Sequence, residues 1–269
     1  MSPVRPSTEA IIFLHAFPFS SEMWKPQVDF FGKTHQVFTP DLRGHGQAKR
    51  QQGPWMMAHF ADDLKHYMNE NEIPRAAICG LSLGGYVALH FAIHHSERIS
   101  SLILCDTRAD ADSNEAKDKR YAQIQKITKD GLDQFAIDFS KQVLGVESLK
   151  NLELQEQLKQ MILENRPEDV TMTLGALASR RDSSSLLHRI HVPTLVLVGE
   201  DDRVTPVEVN RHLAENLPQA EFRIIPHAGH LPNIEQPDIF NYCVQDFFYR
   251  MKTHPLQQTV ARSASPPLL

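Results

Sequence analysis

The sequence predicts an α/β protein with a mostly parallel central sheet flanked by helices. Short β-rich apolar runs alternate along the chain with segments of helical spacing, the pattern typical of such sheets. The chain has 269 residues, of which 41% are apolar. That length and composition provide for a sizeable core and exclude a mainly disordered chain.

Six short runs are predicted to be strands buried on both faces of the sheet, because each is apolar or rich in β-branched residues and too short for a helix. These runs are Ala10–His15, Gln36–Thr39, Ala76–Cys79, Ser101–Cys105, Thr194–Val198 and Phe222–Ile225. Helical spacing is clearest over Phe60–Asn71 and Gly84–His94. The order of these segments therefore predicts strands joined by helical crossovers.

Residues 108–187 interrupt this alternation. They contain no convincing strand, are rich in charged residues and glutamine, and show helical spacing at Leu154, Leu158 and Ile162. We interpret 108–187 as an all-helical insertion into one α/β core formed by 1–107 and 188–254. The final residues, 255–269, include three prolines and little periodicity, so we expect them to be disordered.

Charge and cysteine content exclude several functional classes. The formal net charge is −5 and no run of Lys or Arg exceeds two residues, so we expect no nucleic-acid partner. No apolar run approaches the roughly 18 residues of a membrane helix, and the N-terminus lacks a signal-peptide pattern, so we expect no membrane association. Three cysteines cannot all pair, which favours a reduced, cytoplasmic setting. The oligomeric state stays open.

The motif Gly80-Leu-Ser-Leu-Gly-Gly85 lies between a predicted strand and a predicted helix. A serine on such a sharp turn needs small flanking residues, and Gly80 and Gly84 meet that need. The start of the helix also supplies backbone N–H groups that could stabilise an oxyanion. Ser82 is therefore the candidate nucleophile, although the same motif is compatible with a glycine-rich turn without chemistry.

A serine nucleophile needs a base and an orienting acid, and both residue types follow the last two predicted strands. The candidates are three carboxylates and two histidines: Glu200, Asp201, Asp202, His227 and His230. Because the carboxyl ends of parallel strands meet at one edge of a sheet, these side chains are expected near Ser82. No metal-ligand spacing and no glycine-rich phosphate loop is present, so we predict neither a metal nor another cofactor.

From about Ala10 to Lys252 the chain resembles the α/β-hydrolase superfamily. The resemblance rests on four motifs in order: His15–Pro18, Asp41–Gly46, the Ser82 turn and the acid and histidine loops. It implies that residues 108–187 form a cap over the site. It also implies Ser82 as nucleophile, His230 as base and Asp202 as orienting acid, with Asp201 as the fallback.

The same resemblance implies an oxyanion hole built from the backbone N–H groups of Leu83 and Phe17. His15 would orient the loop that carries Phe17, and His45 would shape the turn after the second motif. Phe17, Trp24 and Leu231 are candidate substrate-lining residues. Trp24 is equally compatible with a place in the core.

A serine at position 82 makes reactions that need a carboxylate nucleophile improbable and leaves acyl transfer. We therefore expect hydrolysis of a small carboxylic ester through an acyl-enzyme. Within the superfamily the chain looks like capped esterases and 3-oxoadipate enol-lactonases, whose substrate carboxylate could be bound by Arg108, Arg180 or Arg181. C–C bond hydrolysis, transfer to an acceptor besides water, perhydrolysis and a non-catalytic ligand receptor also stay open.

Overall fold

The computed structural model describes residues 9–48 and 52–253. The six strands are β1 (Ala10–Leu14), β2 (Gln36–Phe38), β3 (Ala76–Leu81), β4 (Ile99–Cys105), β5 (Thr194–Gly199) and β6 (Ala220–Ile225). The helices are α1 (Lys25–Phe31), α2 (Met57–Glu70), α3 (Leu83–His94), α4 (Asn114–Asp130), α5 (Asp133–Gln142), α6 (Leu152–Leu163), α7 (Pro167–Ala178), α8 (Val207–Glu215), α9 (Pro232–Glu235) and α10 (Pro237–Thr253). The predicted disordered segment 255–269 lies outside the described residues.

All six strands pair in parallel in the order β2-β1-β3-β4-β5-β6. The predicted α/β class with a parallel sheet is confirmed. Strands β1, β3 and β5 are buried along their whole length, as expected for a sheet with helices on both faces. The prediction of burial is wrong for β2 and β6, because these two strands lie at the edges of the sheet and are only partly covered. Strand β3 runs two residues past the predicted end, because Gly80 and Leu81 still pair with β4.

Helices cover the sheet in two groups. Helices α1 and α10 pack on each other, and Phe13 of β1 contacts this group through Trp24 and Phe31, with ring centroids 4.9 and 6.0 Å apart. Helix α3 contacts β1, β3 and β4 and packs against α2, while α8 covers β5 and β6. Helix α3 is buried on nearly every side, so its N-terminus is fixed against the edge of the sheet.

The chain between β4 and β5 is helical, with α4 packed on α7 and α5 on α6. Helices α4 and α6 start at side-chain caps, where Ser113 accepts from the N–H of Ala116 and Asn151 from that of Leu154. The function of this segment as a cap, and its bounds at 108–187, stay predictions. Over the described ranges, no helix combines the length and apolarity needed to cross a membrane.

Candidate active site

Ser82 stands at the sharp turn between β3 and α3. Its backbone has φ 53° and ψ −109°, a conformation that residues other than glycine rarely adopt. The two flanking glycines have no room for a side chain: a Cβ on Gly80 would overlap the backbone of Gly84, and one on Gly84 would overlap the carbonyl of Leu14. The turn is thus held under strain by close backbone packing.

The loop after β1 lies against the start of α3, because the N–H of Gly84 donates to the carbonyl oxygen of His15 at 3.1 Å. The backbone N–H groups of Phe17 and Leu83 donate to no backbone carbonyl among the described residues. Two donors beside a helix N-terminus suit a developing oxyanion. Their role as an oxyanion hole stays a prediction.

His15 links the loop after β1 to the following motif. One ring nitrogen, Nδ1, bonds the carbonyl oxygen of Ala16 at 2.9 Å, and Nε2 accepts from the N–H of Leu42 at 2.8 Å. His45 bonds the carbonyl of Arg43 at 3.1 Å, and its ring meets that of His15 edge-on. Burial lowers the pKa of both imidazoles, that of His45 to about 3, which favours their neutral forms. Both rings thus serve to hydrogen-bond backbone groups of these two loops.

Asp202 and His230 form a buried pair. His230 Nδ1 lies 2.9 Å from Asp202 Oδ2, so Nε2 of the same ring points away from the carboxylate. Three further donors bind the carboxylate: the N–H groups of Val204 and Thr205 at 2.7 and 3.1 Å, and the Thr205 hydroxyl at 2.6 Å. Burial by itself would raise the pKa of Asp202, but the electrostatic interaction with His230 and these hydrogen bonds hold it well below its ordinary value.

The other candidate acids and histidine are engaged elsewhere. The Glu200 carboxylate accepts from the backbone N–H of His227, and Asp201 Oδ2 accepts from the N–H of Val146 at 3.0 Å. The side chain of His227 is exposed. Of the five candidates, only Asp202 and His230 face each other.

Asp106 is a member of this cluster that sequence reasoning did not single out. It follows β4, is fully buried, and accepts from the N–H of Gly199 at 2.9 Å through Oδ1, while Oδ2 has no hydrogen-bond partner in the described part of the chain. Burial and the nearby carboxylate of Asp202 raise its pKa well above the ordinary value, which favours the neutral acid. The one available signal was an aspartate directly after an apolar strand.

Asp106, Asp202 and His230 offer ligand atoms within 4.8 Å of one another, the one such group found among residues 9–48 and 52–253. A divalent cation would fit these distances. However, the two Asp202 oxygens already accept four hydrogen bonds, and one comes from His230. The Asp202 carboxylate therefore has no acceptor position left over for a cation.

The predicted lining residues occupy different places. The Phe17 ring contacts Phe135 and Phe139 of α5, with centroids 6.3 and 5.8 Å apart, so it faces the helical insertion. Leu231 is fully buried directly after His230. Trp24 is fully buried against Phe13 on the α1 and α10 side of the sheet, so it belongs to the core rather than to the site.

A family model described as alpha/beta hydrolase fold matches residues 9–237. The chain is 29% identical to 3-oxoadipate enol-lactonase 2 of Acinetobacter baylyi, over 88% of this chain and 87% of that protein. Among solved structures, it is similar to a thermophilic esterase from Thermogutta terrifontis (36% identity, TM-score 0.87, 91% of each chain). It is also similar to the enol-lactonase from Burkholderia xenovorans (26% identity, TM-score 0.84, 90% of this chain and 92% of that one).

Proposed function

This chain belongs to the α/β-hydrolase fold family, and we propose that it is a serine hydrolase that cleaves a small carboxylic ester. Similarity to an esterase and to enol-lactonases supports an ester or lactone bond as the target. We expect the helical segment 108–187 to act as a cap that selects the acyl and alcohol groups.

In the proposed reaction, Ser82 attacks the ester carbonyl carbon while Nε2 of His230 takes the hydroxyl proton. The N–H groups of Phe17 and Leu83 stabilise the oxyanion, and Asp202 stabilises the imidazolium. Collapse of the intermediate releases the alcohol, which receives the proton from His230. Water then attacks the acyl-enzyme with the same histidine as base and releases the carboxylic acid.

The Asp202–His230 pair carries this proposal. Its 2.9 Å hydrogen bond supports a tautomer with the imidazole proton on Nδ1, which would leave Nε2 to act as the base toward Ser82 at the same edge of the sheet. Ser82, Asp202 and His230 follow β3, β5 and β6, whose carboxyl ends lie at that edge. Such strand ends are where parallel α/β sheets assemble their sites.

Hydrolysis of p-nitrophenyl esters from acetate to decanoate tests the proposal, with Ser82→Ala measured beside the wild type. We expect Ser82→Ala to lower kcat by about 10⁴-fold or more, as for other nucleophile deletions. Ser96→Ala is the matched control, because Ser96 is exposed beyond the far end of α3. Equal turnover by the wild type and Ser82→Ala would overturn the proposal.

Hydrolysis of a lactone that carries a carboxylate is the second candidate, favoured by the enol-lactonase relatives. Two of the three predicted anion-binding arginines already form ion pairs: Arg108 with Asp110 at 3.1 Å and Arg180 with Asp112 at 3.2 Å. The third, Arg181, is exposed. These pairings favour a neutral ester. Comparing kcat/KM for a neutral and a carboxylated ester distinguishes the candidates, because an anion-binding site would prefer the carboxylated one.

A further inference from the structure

Four successive residues after α5 bind the loops that carry Asp202 and His230. We call Val143–Val146 the anchor segment. The carbonyl oxygens of its first two residues accept hydrogen bonds, and the N–H groups of its last two donate them. The four bonds are His230 N–H to Val143 O (2.7 Å), Arg203 Nη2 to Leu144 O (3.1 Å), Gly145 N–H to Glu235 Oε2 (2.8 Å) and Val146 N–H to Asp201 Oδ2 (3.0 Å).

Glu235 lies at the centre of this contact. Its Oε2 accepts from Gly145, while Oε1 accepts from the N–H groups of Gly229 and Leu231 at 2.9 and 3.1 Å. Those two residues stand on either side of His230. One half-buried carboxylate therefore holds the backbone of the histidine loop and that of the anchor segment at the same time. Hydrogen bonds to an ionised acceptor are about twice as strong as neutral ones.

Two glycines allow this approach. A Cβ on Gly145 would lie 2.7 Å from the nitrogen of Gly229, and a Cβ on Gly229 would overlap the backbone of Gly145. Neither glycine has a positive φ, so it is the close approach of the two chain segments that requires them. The contact is therefore backbone against backbone, a geometry that any side chain would force apart.

We propose that Glu235 is a positioning residue that couples the anchor segment to His230, so that the end of α5 and the Asp–His pair move as one unit. The catalytic part of this inference rests on the proposed serine-hydrolase function. Its structural part is the coupling of two segments far apart in sequence, and this part does not depend on the proposed function. A residue that served only local stability would hold its own loop without affecting residues 143–146.

The test compares Glu235→Gln and Glu235→Ala with Asp238→Asn, an exposed carboxylate-to-amide control in the first turn of α10. Glutamine retains one acceptor oxygen but opposes an N–H donor with its amide, so one side of the contact is lost. Alanine removes all three bonds. We expect kcat for p-nitrophenyl acetate to fall about 10- to 100-fold in Glu235→Gln and further in Glu235→Ala, with KM changed less than about threefold.

Hydrogen–deuterium exchange gives a readout that does not depend on activity. We expect both Glu235 variants, but not Asp238→Asn, to speed exchange in peptides covering 143–146 and 228–231 together. Gly145→Ala should speed exchange in the same two peptides. In the double variant Gly145→Ala with Glu235→Gln, the increase in exchange should be smaller than the sum of the two single effects. Faster exchange confined to 228–231, or unchanged exchange in both, would overturn the inference. A wild type without esterase activity but with coupled exchange would overturn the proposed function alone.

Discussion

The hydrogen bond from the Thr205 hydroxyl to Asp202 should make Thr205→Val destabilising in a pH-dependent way. The bond is 2.6 Å long, and Thr205 is 1% exposed, so valine would remove one of the two hydrogen bonds that the buried Oδ2 of Asp202 accepts from Thr205 and His230. Buried hydrogen bonds to charged groups contribute about 1.5–3 kcal/mol. We therefore expect the free energy of unfolding to fall by about 2 kcal/mol at pH 7.

The pH dependence follows from the pKa of Asp202, which lies below its ordinary value in the folded protein. A lowered folded pKa adds stability above the unfolded pKa, near about 4, and that stability is lost as the pH falls through the folded pKa. Thr205→Val moves the folded pKa back toward the ordinary value. Because both proteins share the same unfolded pKa, the destabilisation should be constant from neutral pH down to about pH 4 and shrink only as the pH falls below the folded pKa of the variant.

Urea unfolding of Thr205→Val and the wild type at about pH 7 and about pH 2 measures this difference. Thr128→Val is the matched control: its exposed hydroxyl donates to the carbonyl of Ile124 at 2.8 Å, and we expect a change below about 0.5 kcal/mol. Equal destabilisation at both pH values would refute the assignment to the Asp202 carboxylate.

Two further predictions concern stability. Asp106→Asn should stabilise the protein more at pH 8 than at pH 4, as chemical unfolding would measure. The folded pKa of Asp106 is raised above its unfolded pKa. The free energy of unfolding is therefore highest below the unfolded pKa and falls by up to about 1.4 kcal/mol per pH unit as the pH rises toward the folded pKa. Gly84→Ala should lower the melting temperature by several degrees, because the new Cβ would overlap the carbonyl of Leu14. Gly175→Ala is the matched control in α7: its Cβ would meet open space, so the free energy of unfolding should rise by about 1 kcal/mol. A destabilised Gly175→Ala or an unaffected Gly84→Ala would contradict this interpretation of the two glycines.

Local chemistry made the turn at Ser82 predictable. Gly80 and Gly84 are spaced for a strained strand-to-helix turn, and the structure shows positive φ at Ser82 and no room for either Cβ. The order of strands and helices was predictable for the same reason, because each run carries its own periodicity. The predicted end of β3 was short, since glycine has low β propensity and its pairing with β4 depends on a neighbour.

Long-range packing explains what the sequence could not predict. The burial of Asp106 against Asp202 depends on the register of β4 and β5, in which Cys105 pairs with Leu197. Nothing local to Glu235 indicates that its carboxylate reaches Gly145, which is 90 residues away in sequence. The choice of Asp202 over Asp201 was likewise made by resemblance, and the structure adds that Asp201 faces the anchor segment.

Covalent labelling with a fluorophosphonate, followed by peptide mapping of the adduct, is the sharpest test of Ser82 as an activated nucleophile. We expect one adduct on Ser82 in the wild type and in His227→Ala, whose exposed imidazole lies outside the proposed machinery. His230→Ala should label at least about 100-fold more slowly, because the hydroxyl loses its base. An unlabelled wild type, an adduct on another residue, or equal labelling of His230→Ala would contradict the proposed mechanism.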